Sequence, residues 1–325
     1  MSIKIGKIEL RHGLCLAPMA GYTDRAMRLV CNKYGAEYSV SEMVSAKAVV
    51  YNDRKTFALA KILPDEGPVS VQIFGSEPQI MAEAAGILAN PAEGAKPVAI
   101  DINMGCPVNK IFSNGEGSAL MKNPTLIEKI TRAVTESIDI PCTVKIRSGI
   151  SKTSINAIEC ALAAEEGGAS LLCIHGRTRE QMYGGSADRE IIKNVKQALQ
   201  IPLIANGDIT SAEAALSMLR ETGADGIAIG RGAVGNPFIF SEIICALEKR
   251  DFVPPSLEER IDTALRQLKV AVEDKGERVA IPEARKQIAL YLKAFRGAAR
   301  IRAEINRATA YDEVAAALKS ALDEE

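Results

Sequence analysis

Eight short apolar, β-branched runs, each followed by a helix-like stretch, constrain this chain more than any other feature. They are GLCLAPMAG (13–21), YSVSEMVSA (38–46), PVSVQIFG (68–75), PVAIDINMG (97–105), PCTVKIRSG (141–149), ASLLCIHGR (169–177), IPLIANGD (201–208) and DGIAIGRG (225–232). Runs of this length, bounded by glycine and proline, read as strands buried on both faces. Such strands belong to parallel sheets, whose crossovers are helices. The intervening stretches carry helix starts: Pro78 just inside one, Asn123-Pro124 at another, and Thr210 and Ser211 before AEAALSMLRE. Eight βα units over about 240 residues fit a (β/α)8 TIM barrel, typically about 250 residues long. A doubly wound sheet would place G-x-G-x-x-G after its first strand. Here the first strand ends LAPMAGYTD, and the glycine-rich turns follow strands seven and eight, where barrels often hold phosphate.

The pattern changes after Ile244. KRDFVPPS (249–256) reads as a linker, because paired prolines cannot enter a helix interior. From Ser256 the apolar spacing is helical, and Gly276, Pro282 and Gly297 punctuate it. The expected organisation is a barrel over residues 1–248 and a separate bundle of three or four short helices over 256–325. The seven cysteines include no C-x-x-C pair, and His12 and His175 stand alone, which predicts reduced thiols and no metal. The charged N-terminus has no signal-peptide core, and no apolar run approaches the ~20 residues of a membrane span. A soluble cytoplasmic protein is expected, with a monomer as the working assumption.

In a barrel, chemistry sits at the C-terminal ends of the strands. Those ends carry Pro18-Met19-Ala20, Gln72, Asn103, Cys106, Lys145, Arg147, His175, Arg177, Asn206-Gly207-Asp208 and Gly230-Arg231. Burying such polar groups costs several kcal/mol each unless something satisfies them. A planar polar ligand with a phosphate would satisfy them together. Backbone N–H groups at Gly207 and Gly230, with Arg231, suit the phosphate. Asp208 cannot face it, and takes a hydroxyl or offers only its backbone. Lys145 suits the electron-rich edge of a flavin, where a cation tunes the cofactor.

Cys106 stands where strand four stops, between Gly105 and Pro107. A free thiol has a pKa of about 8.5 and is mostly protonated near neutral pH. It can act as a nucleophile beside a base, or as a proton donor if left alone. No histidine is near in sequence, although His175 could reach it through the fold, so a donor fits better. The following stretch, VNKIFSNGEGSALMKNP, is long enough for a lid.

The segments LAPMAGYTDRAMR, VQIFGSEP, DINMGCPVNKI, GEGSALMKNP, VKIRSG, IHGRTREQMYGGSADRE, PLIANGDI and GADGIAIGRGAVGNPFIF together resemble the tRNA-dihydrouridine synthases, and look closest to their bacterial B-type branch. The resemblance runs from about residue 10 to the end, and MGCP is its most specific element. It implies an FMN-containing barrel followed by a helical tRNA-binding domain. It also implies reduction of the C5–C6 double bond of uridines in tRNA (D-loop), with NADPH as electron source. The implied FMN contacts are Pro18, Met19, Ala20, Gln72, Lys145, His175, Asn206, Gly207, Asp208, Gly230 and Arg231. A hydride would pass from flavin N5 to uracil C6, and Cys106 would protonate C5. Asn103 and Arg147 would position the uracil edge, with Arg177 as a further substrate contact.

From Arg285 to Arg307 seven Lys/Arg face one acid, Glu304, on a chain of net charge -1. With Tyr291 and Phe295 interleaved, this segment suits a phosphate backbone, with Arg285 and Lys286 as contacts. Gln287 stands where family members often carry histidine. Two rivals remain: an FMN barrel acting on a free small molecule, which has no use for the basic segment, and an RNA-binding barrel without catalysis.

Overall fold

The computed structural model describes residues 3–293 and 295–324. A hairpin of β1 (Ile3–Ile5) and β2 (Ile8–Leu10) comes first. The barrel strands then begin with β3 (Leu14–Leu16), β4 (Tyr38–Ser45), β5 (Val69–Phe74), β6 (Ile100–Met104) and β7 (Cys142–Arg147). A small hairpin, β8 (Gly149–Ser151) and β9 (Ser154–Ile155), interrupts them before β10 (Leu171–His175), β11 (Leu203–Asn206) and β12 (Gly226–Ile229). The eight barrel strands are parallel and close in sequence order, with β12 pairing back to β3. All eight coincide with the apolar runs, because both faces of each strand are covered, outward by helices and inward by the barrel core.

The helix starts also follow their signals. Pro78 and Pro124 occupy first helical positions, and Asn123 accepts from the N–H of Leu126. Of the two candidate caps before Ala212, Ser211 takes the position and accepts from the N–H of Ala214. The β1–β2 hairpin is an element the periodicity did not announce. Its Ile3, Ile5 and Leu10 are fully buried against Cys15, Tyr38, Leu171 and Ile204, so it stops the N-terminal end of the barrel.

The C-terminal region is helical, in the segments Leu257–Lys275, Glu277–Ile288, Ala298–Arg307 and Tyr311–Lys319. Gly276 and Gly297, both with positive φ, separate helices as expected. Pro282 does not: it lies inside Glu277–Ile288, where a fixed helical φ is tolerated at the loss of one N–H donor. The helical region has a core of its own, and it packs on the barrel. Its core includes Phe238, whose ring lies 4.4 Å from that of Tyr34 and 6.5 Å from that of Tyr291. Lys275 joins Asp24 at 2.7 Å, and Arg25 joins Asp274 at 2.8 Å. Among the described residues no helix is long and apolar enough to cross a membrane.

Candidate active site

The C-terminal ends of the strands open into a cavity of about 1190 Å³. That exceeds a typical small-ligand site of about 300–1,000 Å³, and leaves room for two flat groups. Of the sequence-predicted residues, Pro18, Met19, Ala20, Gln72, Asn103, Cys106, Lys145, Arg147, His175, Asn206, Gly207, Asp208, Gly230 and Arg231 all line it. Phe252, Pro254, Arg260, Leu290 and Lys293 close one side, so the linker and the helical region contribute a wall.

Cys106 lies just past β6, 8% exposed, at the cavity rather than in the apolar interior. Its N–H and that of Gly105 donate to Asn103 Oδ1 at 2.8 and 3.1 Å. Its carbonyl accepts from Ser118 N and Oγ at 3.1 and 2.7 Å. The segment after it is ordered, with helices over Asn109–Ser113 and Gly117–Lys122. Phe112 sits beneath two cations, Arg179 at 3.9 Å and Lys122 at 4.5 Å, which pins the segment down. Gly117 is required there: its φ is +59°, and a Cβ would come within 3.0 Å of Cys106 Cβ. Burial pushes the Cys106 thiol up, and the Val108 N–H and the charge of Arg147 pull against it without prevailing. The sulfur therefore holds its proton.

His175 is not the base for that thiol. Arg177 Nη1 lies 3.4 Å from His175 Nε2, and a guanidinium only donates, so Nε2 is the acceptor. Burial, with the charges of Lys145, Arg147, Arg177 and Arg231, pushes its pKa down to about 2.

Lys145 Nζ donates to Asn206 Oδ1 at 3.2 Å, and Asn206 donates in turn to the Ala228 carbonyl at 2.7 Å. Among the described residues nothing accepts its other two ammonium hydrogens, which leaves them for a ligand. Burial and the neighbouring Arg147 lower the lysine pKa, while Cys173 and Asp101 hold it up. Arg147 uses Nε on the Gly105 carbonyl (2.9 Å) and Nη1 on the carbonyls of Thr178 (2.9 Å) and Met182 (3.0 Å). Its Nη2 has no acceptor among the described residues. Burial brings its pKa down to about 10, so it stays charged near neutral pH.

At the turns after β11 and β12, the N–H groups of Gly207, Asp208, Gly230 and Arg231 have no acceptor among the described residues. Gly207, at φ +130°, admits no side chain, since a Cβ would meet that of Ala187 at 2.6 Å. The Asp208 carboxylate turns away from these donors. It accepts from Arg177 Nη2 at 2.7 and 2.8 Å and from the Ala187 N–H at 2.8 Å. Burial alone would raise its pKa, but the Ala187 N–H, Arg177 and Arg231 hold it below the usual carboxylate value. Unpaired backbone N–H groups, a half-satisfied Lys145 and Arg231 form a donor set that fits the phosphate and polar edge of a flavin nucleotide.

Three expected substrate contacts fall outside the cavity lining. Arg177 is 2% exposed and spends its donors on Asp208 and the carbonyls of Gly184 and Gly185, because the loop after β10 folds back over it. Arg285 donates to the Ala308 carbonyl at 2.7 Å, tying one C-terminal helix to the end of the next. Lys286 reaches the rim instead, 4.4 Å above the ring of Tyr22, which does line the cavity. Gln287 faces Gln267 at 2.9 Å in the helical core.

Met43, Tyr183 and Arg260 line the cavity without having stood out in the sequence, and Lys293 joins them from the basic stretch 285–307. Met43 follows a register shift between Val40 and Met43 that no alternation pattern displays. Tyr183, with Arg231 stacked 4.6 Å over its ring, was legible as a lone aromatic in QMYGG. Among the described residues, no three His, Cys, Asp or Glu side chains gather where a metal ion could sit.

A family model described as dihydrouridine synthase (Dus) matches residues 15–325. tRNA-dihydrouridine synthase B of Pseudomonas putida is 42% identical over 306 residues, covering 94% of this chain and 90% of that protein. A probable tRNA-dihydrouridine synthase of Rickettsia bellii is 40% identical over 306 residues, covering 94% and 93%. Among solved structures, an old yellow enzyme homologue from Zymomonas mobilis superposes with a TM-score of 0.51 at 14% identity. That match covers 80% of this chain and 95% of the other, and speaks to the barrel fold alone.

Proposed function

The chain belongs to the dihydrouridine synthase family, and from that premise we propose that it reduces the C5–C6 double bond of uridines in tRNA to 5,6-dihydrouridine, with FMN as resident cofactor and NADPH as reductant. The observation that carries this reading is a protonated thiol, Cys106, lining the same cavity as a donor set suited to a flavin nucleotide. FMN, when bound, supplies the hydride. The N–H groups of Gly207, Asp208, Gly230 and Arg231 would hold its phosphate, and Lys145 would counter negative charge on its ring.

The chain's own residues supply the rest. Arg147 Nη2 and the free Nδ2 hydrogen of Asn103 donate to pyrimidine carbonyl oxygens. The Cys106 thiol gives its proton to C5, so hydride and proton together saturate the double bond. Because the thiol pKa is raised, it is loaded with that proton before substrate arrives. A uridine must leave its stack to enter, which costs a few kcal/mol and is least costly in a loop. Residues 256–325 serve as the tRNA-binding region: Arg260 and Lys293 line the cavity wall and Lys286 stands at its rim, where a phosphate backbone would pass.

The test is turnover with FMN, NADPH and tRNA that lacks dihydrouridine, read by nucleoside mass spectrometry. Dihydrouridine in the tRNA is the expected result. Reduction of free uridine or another small enone, with tRNA untouched, overturns the reading in favour of a small-molecule reductase.

A further inference from the structure

Asp101 is a buried charge that the chemistry above leaves unused. It lies on β6, two residues before Asn103, and is 3% exposed. It accepts from Gln72 Nε2 at 2.6 Å and from the Thr143 hydroxyl. Tyr38, Lys145, Cys142 and Cys173 are its other titratable neighbours.

A carboxylate can only accept, so Gln72 must turn its NH2 group towards Asp101. That leaves Gln72 Oε1 for Asn103, whose Nδ2 donates to it at 2.8 Å. Asn103 then has only Oδ1 to offer the N–H groups of Gly105 and Cys106, which can only donate. Both ends of the chain are therefore polarised, and they agree. Flipping Gln72 would put acceptor against acceptor at Asp101, and flipping Asn103 would put donor against donor at Gly105 and Cys106.

We infer that Asp101 is a positioning residue: through Gln72 and Asn103 it holds the backbone at Cys106, and it makes the cavity display one N–H from each amide and no amide oxygen. Two donors of this kind match carbonyl oxygens. A ring amino group in the same place would meet a donor and be refused. The inference rests on the proposed reaction for its purpose, but the amide order stands on geometry and can be tested apart from it.

The experiment compares wild type with Asp101→Leu and Asp101→Asn, both flavin-free and with FMN. Hydrogen–deuterium exchange at the Gly105 and Cys106 amides reports the chain directly, without turnover. FMN affinity comes from flavin fluorescence, and kcat and KM from tRNA reduction. Losing one such hydrogen bond amounts to about tenfold. In Asp101→Leu, exchange should quicken and kcat fall by at least that factor, with KM for tRNA little changed. Asp101→Asn should restore both, since its Oδ1 can accept from Gln72 while its NH2 donates to Thr143. Adding Thr143→Val to the Asn variant removes that acceptor and should bring the loss back, judged against Thr143→Val alone.

Unchanged exchange in Asp101→Leu overturns the inference. So does an Asn variant as impaired as Leu, which would make charge and not amide order the cause, or a Thr143→Val addition without effect. If the Leu variant does not fold, the Asn pair decides. A wild type that reduces no tRNA defeats the proposed function, while the exchange rates still judge the amide chain.

Discussion

The two ends of the barrel use the same eight strands for opposite purposes. At the N-terminal end, Ile3, Ile5 and Leu10 of the β1–β2 hairpin pack with Cys15, Tyr38, Leu171 and Ile204 into one buried apolar cluster. At the C-terminal end, Gln72, Asn103, Lys145, Arg147, His175 and Asn206 ring a cavity of about 1190 Å³. One end buries apolar area, which stabilises by about 25 cal/mol per Å². The other holds donors in place that a purely stable protein would replace with aliphatic side chains. The lesson is a division of labour: the plugged end carries stability, which lets the open end hold half-satisfied cations.

The comparison can be broken most severely at Cys106. Cys106→Ala should cut turnover by about 10²–10⁴, the usual contribution of a positioned proton donor, and leave FMN affinity unchanged. A variant turning over at the wild-type rate removes the thiol from the mechanism. The opposite end should answer in stability alone. Ile5 is fully buried, and Ile5→Ala should cost about 2–5 kcal/mol in chemical denaturation with kcat unaltered. A loss of turnover in folded Ile5→Ala protein would mean that the two ends are not independent.

A smaller effect separates them by pH. His175 is held neutral in the fold, with its pKa pushed down to about 2 from 6.5, whereas the unfolded chain takes up that proton below 6.5. The unfolded state then binds more protons, so stability falls with pH below 6.5, by on the order of 2 kcal/mol between 6.5 and 5. His175→Gln should remove that share, measured as the difference between denaturation curves of variant and wild type. Curves that stay parallel across this range would contradict a neutral buried imidazole. The smallest effect is electrostatic. Lys286→Gln at the rim should reduce the salt slope of tRNA binding by about one phosphate contact, while Lys4→Gln at the plugged end leaves it unchanged. Equal slopes in the two variants would move the docking surface elsewhere.

Much of the barrel was legible in sequence because strands covered on both faces must be apolar throughout, and helices between them must start with caps. The polar residues that interrupt those runs at their ends, such as Lys145 and Asn206, stood out for the same reason. Arg177 did not follow that logic. It has the composition of a mouth residue, yet the loop folding back over it consumes its donors. Met43 lay behind a strand irregularity, and Pro282 kept a helix that proline usually ends.

From the chain of letters alone came the eight βα units, the thiol set after a strand end, the glycine-rich turns after strands seven and eight, and the basic stretch from Arg285 to Arg307. Each is local, set by burial of a repeating unit or by backbone conformations available to glycine and proline. Tertiary structure alone decided which donors remain unspent, that the helical region packs on Tyr34 and Phe238 of the barrel, and that Asp101, Gln72 and Asn103 point one way along a line to Cys106. Those outcomes depend on which partner each polar atom meets across the barrel, and hydrogen bonds between residues about 30 apart leave no periodic trace in sequence.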